Sequence, residues 1–204
     1  MEDISAILLA AGQSSRMGVL KPLLPWNGQP LIEYQIESLR QAGSSEIVVV
    51  VGHRGYEVVK QLKPRSFVTT VHNPNHLMGK TTSIISGLVN VSSSAKGIMI
   101  LAVDQPRPVH IVERIVRAHL DKSPMITMPF YRGHGGHPMI FDSSLLEELK
   151  SITEQGQGLR EITNRYIELT NKVEFSNPVV TLDLNTPHDL SKAQSLFESE
   201  KWFE

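Results

Sequence analysis

Short apolar runs alternate along this chain with segments whose apolar residues return every three or four positions. Residues 4–9 are apolar apart from Ser5, too short for a helix, and followed by small residues, which predicts a buried strand. Runs at 47–51, 67–71 and 97–103 predict three more strands. Between them, Pro30 opens a helix with Ile32, Ile36 and Leu39 on one stripe and Gly43 as its stop. A short helix is expected through Val58 and Leu62, ending near Pro64. Another spans 81–91, with Ile84, Ile85, Leu88 and Val89 on one face, and Pro108 opens one with Ile111, Ile115 and Ala118 stacked inward. Beyond residue 125 the rhythm loosens. Strands are expected at 125–128 and 139–141, helices at 145–152 and 159–167, a late strand at 179–184 and a closing helix at 187–197.

Strands alternating with helices predict an α/β fold, a mostly parallel sheet with helices on both faces. No repeat, linker or low-complexity segment interrupts residues 1–204, so a single domain is expected. Ligands in such folds bind beyond the carboxyl ends of the strands. The loop after the first strand and Asp104, after the fourth, both fall there.

Composition narrows the function more than the fold. The 204 residues carry a net charge of −1 with acids and bases mixed, which marks neither a nucleic-acid nor a membrane surface. The absence of cysteine excludes disulfides, thiolate metal sites and a cysteine nucleophile, and suits a reducing cytoplasm. The first apolar run is brief for a signal peptide, and no stretch approaches the ~18 apolar residues of a transmembrane helix, so a soluble protein is expected. No G-x-S-x-G occurs, and Ser14 and Ser15 have no evident base.

The first loop carries the clearest chemistry. Ala10, Ala11 and Gly12 let a ligand approach the backbone, and Ser14, Ser15, Arg16 and Lys21 add hydroxyls and two cations, as a polyphosphate cradle requires. An ordinary Gly/Ser loop with solvated basic residues fits the same composition. The full string, Leu9-Ala-Ala-Gly-Gln-Ser-Ser-Arg16-Met-Gly-Val-Leu-Lys21-Pro-Leu-Leu-Pro25, resembles the opening signature of MobA-like NTP transferases, the nucleotidyltransferases of the molybdenum cofactor. Within them it is most similar to the cytidylyltransferase branch, which includes accessory proteins for xanthine dehydrogenase.

The resemblance extends to residue 190 and implies a three-layer α/β/α nucleotidyltransferase fold. It places Leu9, Ala10, Ala11 and Gly12 against the nucleoside, and Arg16 and Lys21 on the phosphates. Val103-Asp104-Gln-Pro resembles a Gly-Asp-Gln-Pro motif whose Asp holds magnesium, with Val103 replacing the glycine. Without the resemblance, an Asp in the place of Asp104 is more often a turn or helix cap. Asp183-Leu-Asn185-Thr-Pro-His-Asp-Leu resembles Asp-x-Asp-Thr-Pro-x-Asp-Leu, which makes Asn185 the second metal ligand with one negative charge fewer. If the segment is extended, Asp183 and Asn185 share one side.

Asn73 and Gly79-Lys-Thr-Thr-Ser83 resemble an Asn…Gly-Met-x-x-Ser segment beside the nucleoside, with Lys80 in the methionine's place. Asn73, Gly79 and Ser83 thus become nucleotide contacts, while Lys80 reads either as a triphosphate contact or as a solvated side chain. A Walker A reading fails, because its first glycine would fall on Pro74. Arg132-Gly-His-Gly-Gly-His137-Pro resembles the family's Gly-His-Pro, and Gln155-Gly-Gln-Gly158-Leu-Arg160 its Gly-Asp-x-Gly-Ala-Arg, with Gln155, Gly156 and Leu159 as departures. Arg132, His137 and Arg160 are the implied acceptor contacts.

The implied reaction moves CMP from CTP to the phosphate of a molybdopterin-type cofactor and releases pyrophosphate. Mg2+, or Mn2+, serves as cofactor, and the product supports a molybdoenzyme client such as xanthine dehydrogenase in purine metabolism. GTP as donor, a sugar-1-phosphate or alcohol-phosphate acceptor, and a carrier that binds nucleotide without turnover remain open at this stage.

Overall fold

The computed structural model describes residues 4–198. Its first strand, β1 (Ile4–Ala10), is buried at every position and lies at the middle of the sheet. An irregular loop follows, closed by a small ribbon of β2 (Pro25–Trp26) and β3 (Gln29–Pro30). Trp26, only 1% exposed, meets the rings of Tyr34 and Phe197 edge-on and anchors that ribbon to the body. Then come α1 (Leu31–Gln41), β4 (Ser44–Val51), α2 (Gly55–Val59), β5 (Val68–His72), α3 (Lys80–Leu88) and β6 (Gly97–Ala102). The second half holds α4 (Val109–Lys122), β7 (Ile126–Tyr131), β8 (His134–Gly135), β9 (Met139–Asp142), α5 (Leu146–Lys150), α6 (Leu159–Arg165), β10 (Thr170–Glu174) and α7 (Pro187–Glu198).

The sheet runs β10-β7-β9-β6-β1-β4-β5, with β8 paired to β7. β1 pairs in parallel with β4 and β6, as do β4 with β5 and β7 with β10. β9 is antiparallel to both neighbours. The period-two alternation of strand side chains divides the core in two. Ala6, Leu8, Val49 and Leu101 face α1 and α4 through Ile32, Ile36, Leu39, Ile111 and Ile115. Ile7, Leu9, Val48, Val50 and Ile100 face α3, α5 and α6 through Ile84, Leu88, Leu149 and Ile162. The result is the three-layer α/β/α arrangement, with β1, β4, β5 and β6 ending at one edge. No helix among the described residues is long and apolar enough to cross a membrane.

Several segments depart from the sequence reading. Residues 179–184 form no strand: Asn177 Oδ1 accepts the Val179 N–H, and Pro178–Thr181 close into a 3-10 turn. The strand at that sheet edge is β10, whose sequence Thr-Asn-Lys-Val-Glu carries no apolar run. The second helix also ends earlier, at Val59, instead of continuing through Leu62.

Candidate active site

β1 delivers its carboxyl end to Ala10, after which residues 11–20 leave the sheet as an irregular loop. Met17 and Leu20 are buried and hold the loop down, while Ser14 Oγ accepts the Lys21 N–H at 3.0 Å. The loop forms one wall of a cavity of about 480 Å3, within the range of small-molecule sites. Leu9, Ala10, Ala11, Gly12, Arg16 and Lys21 line it, and so do Gly79, Ser83, Asp104 and Asn185 from three distant segments. Arg16 is exposed and makes no ion pair or hydrogen bond among the described residues.

At the bottom of the cavity, Lys21 Nζ donates to Asp104 Oδ2 at 2.7 Å and to Asn185 Oδ1 at 3.1 Å. Two hard oxygen donors separated by 81 positions in sequence thus converge on one cation. That donor set suits a divalent ion that completes its shell with water and phosphate oxygens. No group of three or more His, Asp or Glu side chains suited to a metal exists among the described residues. Asp183 takes no part. Its carboxylate accepts from Gln105 Nε2 at 2.8 Å, because Asn185 N–H folds back onto Asp183 O at 3.2 Å and breaks the extended geometry that would align the pair.

Asn73 lies beneath the cavity, not on its wall. Its amide donates to Thr82 Oγ1 and Ser83 Oγ, both at 2.9 Å, and its Oδ1 caps the Asn75 N–H. Asn73 therefore orients Ser83 from below. His76 and Leu77 also line the cavity. Gly52 admits this packing: a Cβ there would lie 2.7 Å from His76 Cβ and 2.9 Å from Ala11 Cβ.

A second cavity of about 520 Å3 opens between α3, α6 and the β7–β9 segment. His137, Gly158 and Arg160 line it. Arg132 does not; its guanidinium rests over the Tyr131 ring, 5.2 Å from the centroid, in a residue at φ 49°. His137 Nδ1 is buried with no partner among the described residues. Burial, aided by the charges of Lys80 and Arg107, pushes this imidazole down to about 3. The unfolded chain takes up that proton near pH 6.5. Stability is therefore complete above pH 6.5 and falls as the pH drops toward 3, by at most about 1.4 kcal/mol per pH unit. His137→Gln is expected to flatten this acid limb. Urea midpoints at pH 7, 6 and 5 check it, and parallel slopes in variant and wild type would contradict it.

Arg107 is the residue that sequence reasoning missed. It is fully buried, yet it carries a charge. Nε donates to His137 O at 2.8 Å, Nη1 to Pro106 O and Leu182 O at 3.0 Å, and Nη2 to Val180 O at 2.9 Å. Burial lowers the guanidinium to about 9, while Asp183 and Asp104 oppose the drop, so it stays protonated at neutral pH. One side chain thereby ties together the Asp104 turn, the His137 segment and the approach to Asn185. The nearest sequence signal is its place directly after Asp104-Gln-Pro.

The model of the MobA-like NTP transferase domain matches residues 6–170. The molybdenum cofactor cytidylyltransferase of Escherichia coli is 28% identical over 97% of this chain and 98% of its own length. The molybdenum cofactor guanylyltransferase of Vibrio atlanticus is 31% identical over 94% and 96%. Among solved structures, a nucleotidyl transferase from Methanothermobacter thermautotroptrophicus superposes with a TM-score of 0.82 at 25% identity, covering 98% of this chain and 99% of that one. The domain match and these likenesses make the chain a nucleotidyltransferase of the MobA-like NTP transferase family.

Proposed function

We propose that the chain transfers CMP from CTP to the phosphate of a molybdopterin-type molybdenum cofactor, releasing pyrophosphate. The observation that carries this reading is the convergence of Asp104 and Asn185 on Lys21 at the floor of a cavity whose loop also offers Arg16. Such a floor is built for a nucleotide's phosphates with a divalent cation. Bound there, Mg2+ or Mn2+ would neutralise charge on the phosphate oxygens. Asp104 and Asn185 would hold it, and Lys21 would then be released to the leaving pyrophosphate beside Arg16. An acceptor phosphate is already ionised and needs no strong base, so alignment and charge neutralisation supply most of the rate.

The choice of CTP rests on Ala11. Ala11 lines the nucleotide cavity with its methyl group packed toward Gly52, and a second glycine in its place would loosen that wall and leave more room for a purine. The natural setting for the product is maturation of a molybdoenzyme such as xanthine dehydrogenase in the cytoplasm, hence purine metabolism. The cysteine-free composition agrees with that compartment.

The test is thermal stability with each NTP and Mg2+. A ligand that binds the native state alone adds about 2.7 kcal/mol at a hundredfold excess over Kd, which is roughly 5–10 °C for a chain of this size. CTP is expected to give that rise and GTP a much smaller one. A GTP-selective rise would move the donor to the guanylyl form, and no rise with any nucleotide would overturn the transferase reading.

A further inference from the structure

Lys80 is the one residue among those described that lines both cavities. It opens α3, directly after Gly79, and its side chain is exposed without an ion pair or hydrogen bond among the described residues. We infer that the Lys80 ammonium holds the acceptor's phosphate where the two cavities meet and presents it to the α-phosphorus of the bound nucleotide. The inference rests on the nucleotidyl-transfer reading and gives Lys80 a role on the acceptor side of that reaction.

Lys21 and Glu154, the charges beside Lys80, are already committed, and this leaves Lys80 available. Lys21 is held by Asp104 and Asn185. Glu154, the nearest carboxylate on the second cavity, is used at the start of α3, where its Oε1 accepts the Thr81 N–H at 2.7 Å and the Thr81 hydroxyl at 2.9 Å. Gly79, at φ 123°, packs directly on that carboxylate, so the turn that aims Lys80 is fixed by a position closed to other side chains. Glu154 therefore occupies the backbone donor at the helix start, and the cation beside it remains for a ligand. Across the second cavity, Lys80 is close enough to disfavour the charged form of His137. Arg160, on α6, supplies a second cation on that wall, its guanidinium without a partner among the described residues.

At this junction Lys80 contributes a positive charge and Asn185 a neutral amide, which suits a multiply charged anion. In the transfer step, a phosphate oxygen of the acceptor forms the new bond to the α-phosphorus. The bond from that phosphorus to the bridging oxygen of pyrophosphate breaks, and its electron pair leaves with pyrophosphate. Lys80 takes no part in the bond changes and lowers the repulsion between two anions brought together.

The experiment uses wild type, Lys80→Met and Lys80→Arg with Mg2+, CTP and molybdopterin. It follows kcat and KM for molybdopterin, the Kd for CTP by calorimetry, and molybdopterin binding in the presence of a non-hydrolysable CTP analogue. Lys80→Met is expected to lower kcat/KM for molybdopterin at least about tenfold and to weaken its binding in parallel, on the scale of a lost charge-assisted hydrogen bond. CTP affinity should stay within about twofold, and Lys80→Arg should recover most of the loss. An unchanged kcat/KM in Lys80→Met would overturn the inference, as would a loss of CTP affinity equal to the loss toward molybdopterin. A wild type that neither binds CTP nor turns over fails differently, because it removes the transferase reading itself.

Discussion

Asp104→Ala is expected to lose at least about a thousandfold in kcat, which is about 4 kcal/mol of transition-state stabilisation. Asp104 supplies the only carboxylate among the residues that meet at Lys21, and Asn185 alone offers a neutral amide oxygen. A divalent ion held by one amide would be bound weakly, and Lys21 would lose the partner that sets its position. The fold should survive. The carboxylate is 25% exposed and its ion pair with Lys21 is partly screened, so its contribution to stability is under about 1 kcal/mol. The contact that the Asp104 backbone makes with Leu184 N–H, at 2.8 Å, remains in the variant. Two measurements decide the matter: Mg2+-dependent CTP turnover, and urea unfolding of the same preparation. Turnover near the wild-type rate in a folded variant would remove Asp104 from the metal site.

How much of this was legible in the sequence depended on where each segment lies. β1, β4 and β6 lie inside the sheet, buried on both faces apart from the start of β4, and apart from Ser5 and the first three residues of β4 they read as apolar runs. β10 lies at the edge, where one side of the strand has no neighbour and polar residues are tolerated. Its Thr-Asn-Lys-Val-Glu sequence gives no periodic signal. Residues 179–184 misled for the opposite reason. Val179 and Val180 are apolar because they are buried against the first core, but Asn177 and Pro178 start a turn there, and its carbonyls face Arg107 instead of a neighbouring strand.

The site divided along similar lines. The loop after β1 and Asp104 could be placed together from topology alone, since parallel strands bring their carboxyl ends to one edge. Side-chain direction outside regular structure could not. Alternation in a strand would have aligned Asp183 with Asn185, yet a tight turn sends the first to Gln105 and the second to Lys21. Asn73 was found by its motif, but its burial and its bonds to Thr82 and Ser83 depend on how α3 docks on β5. Lys80 stayed ambiguous because its meaning lies in the junction of two cavities, which no local pattern records.

Arg107 gives the second large expected effect, this time on stability and activity together. In sequence it is an arginine beside a proline, the ordinary picture of a solvated side chain. In the fold it is 0% exposed and donates to carbonyls from three segments. Replacing it with methionine removes a costly buried charge but leaves the carbonyls of Pro106, Leu182 and His137 without this donor. Orphaned buried acceptors cost about 1–3 kcal/mol each, and breaking a buried charged network typically costs 3–5 kcal/mol. Arg107→Met is therefore expected to destabilise the protein by about 3–5 kcal/mol and to lower Tm by roughly 10 °C. Hydrogen exchange should rise first at residues 180–185, because the turn they form is held to the body through this guanidinium. kcat should fall with it, since Asn185 and the Asp104 turn lose their common support, while the loop after β1 is untouched. Arg107→Lys keeps the charge but offers fewer, differently placed donors, and should fall between the two. A Tm within about 2 °C of wild type in Arg107→Met would mean that the backbone of these segments holds its own geometry, and that the buried cation is a consequence of the fold and not one of its supports.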